Sequence, residues 1–293
     1  MERFEAQNYV LPATALASGT PQADCALKNI LIVTRTTWCA DIRLQHLCRQ
    51  DVPSEINCNC MLQIARILVP VDFSERCLKM MPYVRLFAEK YRSELILLHV
   101  MNPVYTIPDT ALSGPIPLPL PERAFEHGAE RLDGFAVAEL QGLPVRRLLY
   151  EGDPETQIAE TAQTEDVQLL MMPTRGHGAF RTFLLGSITS KVLHDVARPI
   201  LTGVHASEHS VSSISSIVYA GDSGDQTADV LAWADGLAID FQAKLVHAEP
   251  GLDPEAVCAF AESSGADLLV IARGSRPNAY AIIRQSPCPV LSI

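Results

Sequence analysis

Residues 64–75 read Ile64-Ala65-Arg66-Ile67-Leu68-Val69-Pro70-Val71-Asp72-Phe73-Ser74-Glu75. Ile67 to Val71 form an apolar run with no polar alternation, the pattern of a strand buried on both faces of a parallel sheet. Asp72 ends that run. Ser74 then stands where an N-cap opens a helix over about 75–91, with Leu78, Met81, Leu86 and Phe87 as its apolar positions. Pro82 lies inside this helix and predicts a kink or a late start. A buried strand handing over directly to a helix predicts a βα unit.

The alternation continues downstream. Strands are expected at 94–100, 145–150, 167–172 and 199–204, and helices at about 122–141, 155–164 and 187–197. Residues 102–121 hold six prolines and read as an extended loop. Gly152-Asp153-Pro154 is a turn with Asp153 as N-cap. Such alternation predicts a doubly wound α/β fold with a mostly parallel sheet and helices on both faces.

A shortened echo follows. Ser216–Ala220 followed by Gly221-Asp222 resembles Leu68–Val71 followed by Asp72, Lys244–Ala248 resembles 96–100, the helix at 254–264 resembles 155–164, and Ala266–Ile271 resembles 165–172. The pattern predicts two tandem repeats, 61–205 and 206–293, joined through the Ser- and His-rich stretch 206–215. The two final strands, 199–204 and 289–293, are expected to pair within the chain and so cover both edges.

Residues 1–60 lack sustained periodicity, although Ile30–Val33 has strand character. They read as an appended, poorly ordered segment, with Met61 as an alternative start; a redox-sensing extension is the rival reading. Five of the eight cysteines lie there: Cys25, Cys39, Cys48, Cys58 and Cys60. The lone Cys58-Asn-Cys60 has no partner motif for a metal, so free thiols in a reducing compartment are expected.

The chain has 293 residues, 48% hydrophobic, with 23 basic against 34 acidic side chains and a net charge of −11. Global disorder is excluded by that apolar content. A broad nucleic-acid face is excluded by the charge, because phosphate contacts need clustered Lys and Arg. Residues 1–60, 61–205 and 206–293 carry net charges of −1, −3 and −7, so the middle part is the better place for an anionic ligand, held by local N–H donors. The apolar runs are strand-sized and no leader is visible, which predicts a protein of the cytoplasm that does not enter a membrane.

Open parallel sheets bind ligands beyond the carboxyl ends of their strands. Asp72, Val100 and the stretch Met172-Pro173-Thr174-Arg175-Gly176-His177-Gly178…Gly186-Ser187 meet there. Gly186-Ser187 at a helix start aims free N–H groups and one hydroxyl at an anion. The chain has no Walker-type phosphate loop, no dinucleotide fingerprint after the first strand and no Ser-His-Asp or Cys-His arrangement. His99 reads as a satisfied sheet-end histidine, Cys77 as a buried structural thiol, and Arg146-Arg147 as a surface pair. His177 and Arg181 could reach phosphates or simply face solvent.

Leu68-Val69-Pro70-Val71-Asp72-Phe73-Ser74-Glu75, Leu97-Leu98-His99-Val100, Thr174-Arg175-Gly176-His177-Gly178, and Leu184-Leu185-Gly186-Ser187-Ile188 with Lys191-Val192-Leu193 occur in an order that resembles the universal stress protein family. The resemblance covers about 61–205 well and 212–293 weakly, so the whole is similar to a tandem member. It implies a flavodoxin-like (adenine nucleotide alpha hydrolase-like) fold that binds ATP, with or without Mg²⁺, in some members. It implies nucleotide contacts at Pro70, Val71, Asp72, Val100, Met172, Gly176, Gly186, Ser187 and Ile188; the residues themselves lead us to expect no catalytic or metal site.

The family motif begins with a glycine where this chain has Pro173, which removes one N–H and fixes φ. Two readings therefore stand: a nucleotide switch acting on an unknown protein partner, or a nucleotide-free interaction module with a decayed site. A slow ATP hydrolase is a third, without an evident general base. In the second repeat the long glycine loop is missing, which predicts no nucleotide there. Its expected role is that of an in-chain partner, a pseudo-dimer, with a homodimer also open.

Overall fold

The computed structural model describes residues 9–10, 62–102, 104–106, 116–118, 120–174, 185–203, 213–221, 227–273 and 279–293. Within 1–60 only Tyr9–Val10 (β1) is described, so the expectations for that segment and its cysteines otherwise lie outside the described residues. Gly176, His177, Arg181 and Asp222 also lie outside them.

The strands follow the expected apolar runs: β2 Arg66–Pro70, β3 Glu94–Met101, β6 Val145–Glu151, β7 Leu169–Pro173 and β8 Ile200–Gly203, then β9 Ser216–Ala220, β10 Lys244–His247, β11 Leu268–Ile271 and β12 Val290–Ser292. Between them run the helices α1 Glu75–Tyr91, α2 Glu122–Gly134, α3 Pro154–Thr164 and α4 Ser187–Asp195, then α5 Thr227–Phe241, α6 Pro254–Ser263 and α7 Ala279–Gln285.

One sheet carries ten strands in the order β1-β6-β3-β2-β7-β8-β12-β11-β9-β10. Counted within the first half, β6-β3-β2-β7-β8 is 3-2-1-4-5. This is doubly wound, with its switch point between β2 and β7; flavodoxin itself runs 2-1-3-4-5. Past β8 the order 5-4-1-2 mirrors the first half without its third strand. All pairings are parallel except β1–β6 and the central β8–β12. There Leu201 faces Leu291, as expected of the two final strands. The buried hydroxyls of Thr202 and Ser292 donate reciprocally across this junction, to the carbonyls of Val290 (3.2 Å) and Ile200 (3.3 Å).

Strand side chains alternate between two cores. Ile67, Val69, Leu95, Leu97 and Met171 pack with Phe87 and Val84 of α1, Leu132 of α2 and Ala234 of α5. Leu68, Ile96, Leu98, Leu170 and Met172 pack with Ile158 of α3, Val192 of α4, Val257 of α6 and Ile282 of α7. Both faces are covered, which is why these strands show no polar alternation.

The two halves also share capping devices. Asp153 and Asp253 each cap a helix with Pro at its start, accepting from Thr156 (3.1 Å) and Ala256 (2.8 Å). Arg92 (φ 54°) and Gln242 (φ 55°) each end the helix before a second strand. Across the halves, the buried Asp240 carboxylate accepts from the Tyr91 hydroxyl at 3.0 Å and the Leu62 N–H at 3.2 Å. The Arg273 guanidinium donates to the carbonyls of Val196 (2.7 Å) and Arg198 (3.0 Å) at the end of α4.

Several expectations are corrected. Helix α1 starts at once on Glu75 because the Ser74 hydroxyl accepts from the Cys77 N–H at 3.1 Å, so Pro82 does not delay it. Helix α2 stops at Gly134 rather than Gln141. Phe135 turns extended, and Arg147 donates to the Leu132 (2.9 Å) and Phe135 (3.3 Å) carbonyls, capping that end. Arg146 is engaged as well, holding Glu165 at 3.0 and 2.5 Å and Glu94 at 3.2 Å, so the expected surface pair is a pair of tertiary links. Inside the proline-rich loop, β4 (Val104–Thr106) and β5 (Ile116–Leu118) pair antiparallel.

Candidate functional site

The site lies at the switch point. From β2 the register with β3 runs to Pro70↔Leu98. From β7 the register with β8 runs to Pro173↔Gly203. Between β2 and β7, however, pairing ends at Leu68↔Leu170. The two strands part beyond that rung and leave a cavity of about 230 Å³. It is lined by Pro70, Val71, Asp72, Val100, Met172 and Ile188, six of the nine residues expected to contact a ligand, together with Pro173.

Asp72 is held in place by its successors. Phe73 takes a left-handed φ of 60°, a conformation rare for a bulky residue. Its ring is kept there by His99 (4.4 Å between centroids), Phe135 (5.7 Å) and the Arg131 guanidinium (4.3 Å above the face). The turn brings Ser74 back, so that its N–H (2.9 Å) and hydroxyl (2.7 Å) both donate to Asp72 Oδ1. The carboxylate is therefore aimed by the same residue that caps α1.

His99 behaves as expected of a sheet-end histidine. It lies 2.7 Å from the Val71 carbonyl through Nδ1, which must carry the proton, because a carbonyl only accepts. Burial pushes its pKa below the ordinary value, so the ring is neutral near pH 7. The Cys77 thiol is pushed up to about 12, first by burial and then by the Asp72 charge, which makes it an inert core thiol.

The far wall is the start of α4. Gly186 occupies its N-cap and, having no side chain, makes no side-chain capping bond to the first turn. The Gly186 N–H donates to the Thr174 carbonyl at 3.0 Å, joining the two ends of the segment 175–185. Thr189 donates to the Pro173 carbonyl at 3.3 Å and ties α4 to β7. Ser187 is exposed on the first turn. Gly186 and Ser187 border the cavity without lining it.

No lysine or arginine is among the described lining residues. An anion at the start of α4 would meet the helix N–H dipoles. Among the described residues no group of three or more His, Cys, Asp or Glu is arranged to hold a metal ion. Nor is any described helix long and apolar enough to cross a membrane.

Leu98, Asn102, Pro154, Ile158 and Thr189 also line the cavity and were not singled out from sequence. Pro154 carried a signal, as the residue following a capping Asp at a strand-to-helix turn. Ile158, one helical turn further on, follows from it only once α3 is placed over β3.

Comparison with known proteins speaks to the family and the fold. The sequence profile of the Universal stress protein family matches residues 63–202. A universal stress protein of Thermus aquaticus is 32% identical over 136 residues, covering 46% of this chain and 95% of that protein. One from Methanocaldococcus jannaschii is 26% identical over 153 residues and 92% of its length. The crystal structure of a universal stress protein from Archaeoglobus fulgidus superposes with a TM-score of 0.61 at 21% identity, covering 78% of this chain and 96% of that one, a likeness of fold. The chain belongs to the universal stress protein family.

Proposed function

We propose that the crevice between β2 and β7 binds an adenine nucleotide, as ATP with or without Mg²⁺, and that occupancy switches the surface this protein offers to a protein partner. The observation that carries the reading is the early end of the β2–β7 ladder. It opens a cavity at the carboxyl ends of the strands, directly beside a helix N-terminus whose cap residue, Gly186, has no side chain.

Each wall suits one part of such a ligand. Met172, Ile188 and Val100 offer apolar surface to a flat base. Asp72, already oriented by Ser74, accepts hydrogen bonds from hydroxyl or amine donors. The α4 N-terminus, with Gly186 and the Ser187 hydroxyl, receives phosphate, and Gly176 is a further contact by resemblance to the family. Occupancy shifts the surface offered to the partner by favouring one of two states. The second half acts as the in-chain partner, since its β12 covers the β8 edge. The protein works in the cytoplasm on this reading.

Purified full-length protein is denatured and any released nucleotide identified; ATP with Mg²⁺ is then titrated against wild type and Ser187→Ala. Bound nucleotide, or saturable binding weakened about fivefold by loss of one hydroxyl contact, is expected. No nucleotide and no titration signal to about 1 mM would favour the interaction module with a decayed site.

A further inference from the structure

The parting of β2 and β7 has a cause in two prolines. Along β2, Val71 donates to the Leu98 carbonyl at 2.7 Å, so its neighbour Pro70 turns its nitrogen the opposite way, toward β7. Along β7, Leu170 donates to Pro199 (3.0 Å), and beyond the strand Thr174 donates to Gly203 (3.2 Å), so Pro173 turns its nitrogen toward β2. Two further rungs would follow in this register, Val69 opposite Met171, which needs the nitrogen of residue 70, and Pro70 opposite Met172, which needs two donors: the nitrogens of residues 70 and 173. Neither has a hydrogen to give. Both bonds of that rung are therefore abolished at once, while the β2–β3 and β7–β8 ladders, which use the other edges, continue undisturbed.

The second half provides an internal control. Its register places Ile217 opposite Leu268 as Ile67 stands opposite Leu169, so Ala220 and Ala272 correspond to Pro70 and Pro173. With alanine at both places, the β9–β11 ladder includes the rungs Val270↔Tyr219 and Ile271↔Ala220, the two that β2–β7 lacks.

We infer that Pro70 and Pro173 are paired positioning residues that hold the switch-point crevice open for its ligand. Pro173 is then no lesion. It removes only the bond that would close the crevice, it needs no left-handed φ, and it completes a device begun by Pro70. Pro173 contributes only an acceptor carbonyl, which accepts from Thr189. This deepens the nucleotide reading and rests on it only for what occupies the opening.

The test is the full-length double variant Pro70→Ala/Pro173→Ala, with each single variant beside it. Hydrogen exchange reads the new amides at positions 70 and 173, and ATP with Mg²⁺ is titrated in parallel. Closure of the rung is expected to slow both amides at least about 100-fold relative to an unstructured chain. ATP affinity should fall about tenfold or more in the double variant and less in the singles, while the melting temperature moves by no more than about 4 °C. Freely exchanging amides would overturn the inference, because the strands would then be held apart by something else. Protected amides with unchanged ATP affinity would overturn it too, since closing the rung would not close the site. If wild type binds no nucleotide, the nucleotide reading fails, and the exchange rates alone decide whether these prolines keep the strands apart.

Discussion

The substitution Ser187→Asp should move stability and nucleotide binding in opposite directions. Helix α4 begins with a glycine cap, no side-chain capping bond and no acidic residue in its first turn. Its first intrahelical bond with N-cap oxygen is Ser190 N–H to the Gly186 carbonyl at 2.9 Å, so the N–H groups before it lack intrahelical acceptors. A carboxylate at position 187 complements that positive end and should add about 0.3–1 kcal/mol. The same carboxylate would stand roughly 6 Å from a phosphate bound on the helix axis. At that distance a unit repulsion is about 0.7 kcal/mol in a water-like medium and about 2.8 kcal/mol at an effective dielectric of 20. Affinity should therefore fall about threefold to hundredfold, and because Ser187 is exposed the loss should shrink at high salt. Scanning fluorimetry reads the first effect and isothermal titration with ATP and Mg²⁺ the second, with Ser187→Asn as the neutral control. A raised melting temperature with affinity unchanged within twofold would refute phosphate placement at α4.

Three further outcomes follow from the packing. Phe87 of α1 is fully buried and lies 5.3 Å from the Phe241 ring of α5, across the two halves. Phe87→Ala should cost about 3–5 kcal/mol, and a cycle with Phe241→Ala should show about 0.5–1.5 kcal/mol of coupling by urea unfolding; strict additivity would mean the halves fold independently. Arg146 beside Glu165 holds its carboxyl below the ordinary 4.5. That stabilisation is complete above pH 4.5 and lost as pH falls through the depressed value, so Glu165→Gln should flatten the acid limb of stability by about 1 kcal/mol. Burial pushes the thiols of Cys77, Cys258 and Cys288 to about 12, 11 and 11. Mass spectrometry after iodoacetamide at pH 8 should find them alkylated about 100-fold slower in native than in unfolded protein, and equal rates would contradict their burial.

Local chemistry made much of this fold legible. Continuous apolar runs such as Leu68–Val71 could only be strands covered on both faces, and short polar side chains at Ser74 and Asp153 marked helix starts. The elements that were misjudged all depend on distant partners. Helix α2 ends at Gly134 because Arg147, on a strand thirteen residues later, reaches its last carbonyls. The proline-rich loop forms a small antiparallel pair whose two strands lie ten or more residues apart in the chain, with Tyr105 in register with Pro117.

The candidate site divides in the same way. Asp72, Val100, Met172, Gly186 and Ser187 were visible from sequence, because strand ends and helix starts are local features with local signals. Leu98, Asn102 and Ile158 were not, since their place in the cavity depends on how α3 and β3 lie together. Pro173 was read alone, as a lost donor. Its meaning depends on which edge of β7 it faces and on Pro70 facing it across the gap, more than one hundred residues away in the chain. The amino-acid sequence by itself determined the order of strands and helices, their caps and the family. Only the tertiary structure decided which backbone edges oppose each other, because ladder register is a property of two strands together and neither strand alone carries it.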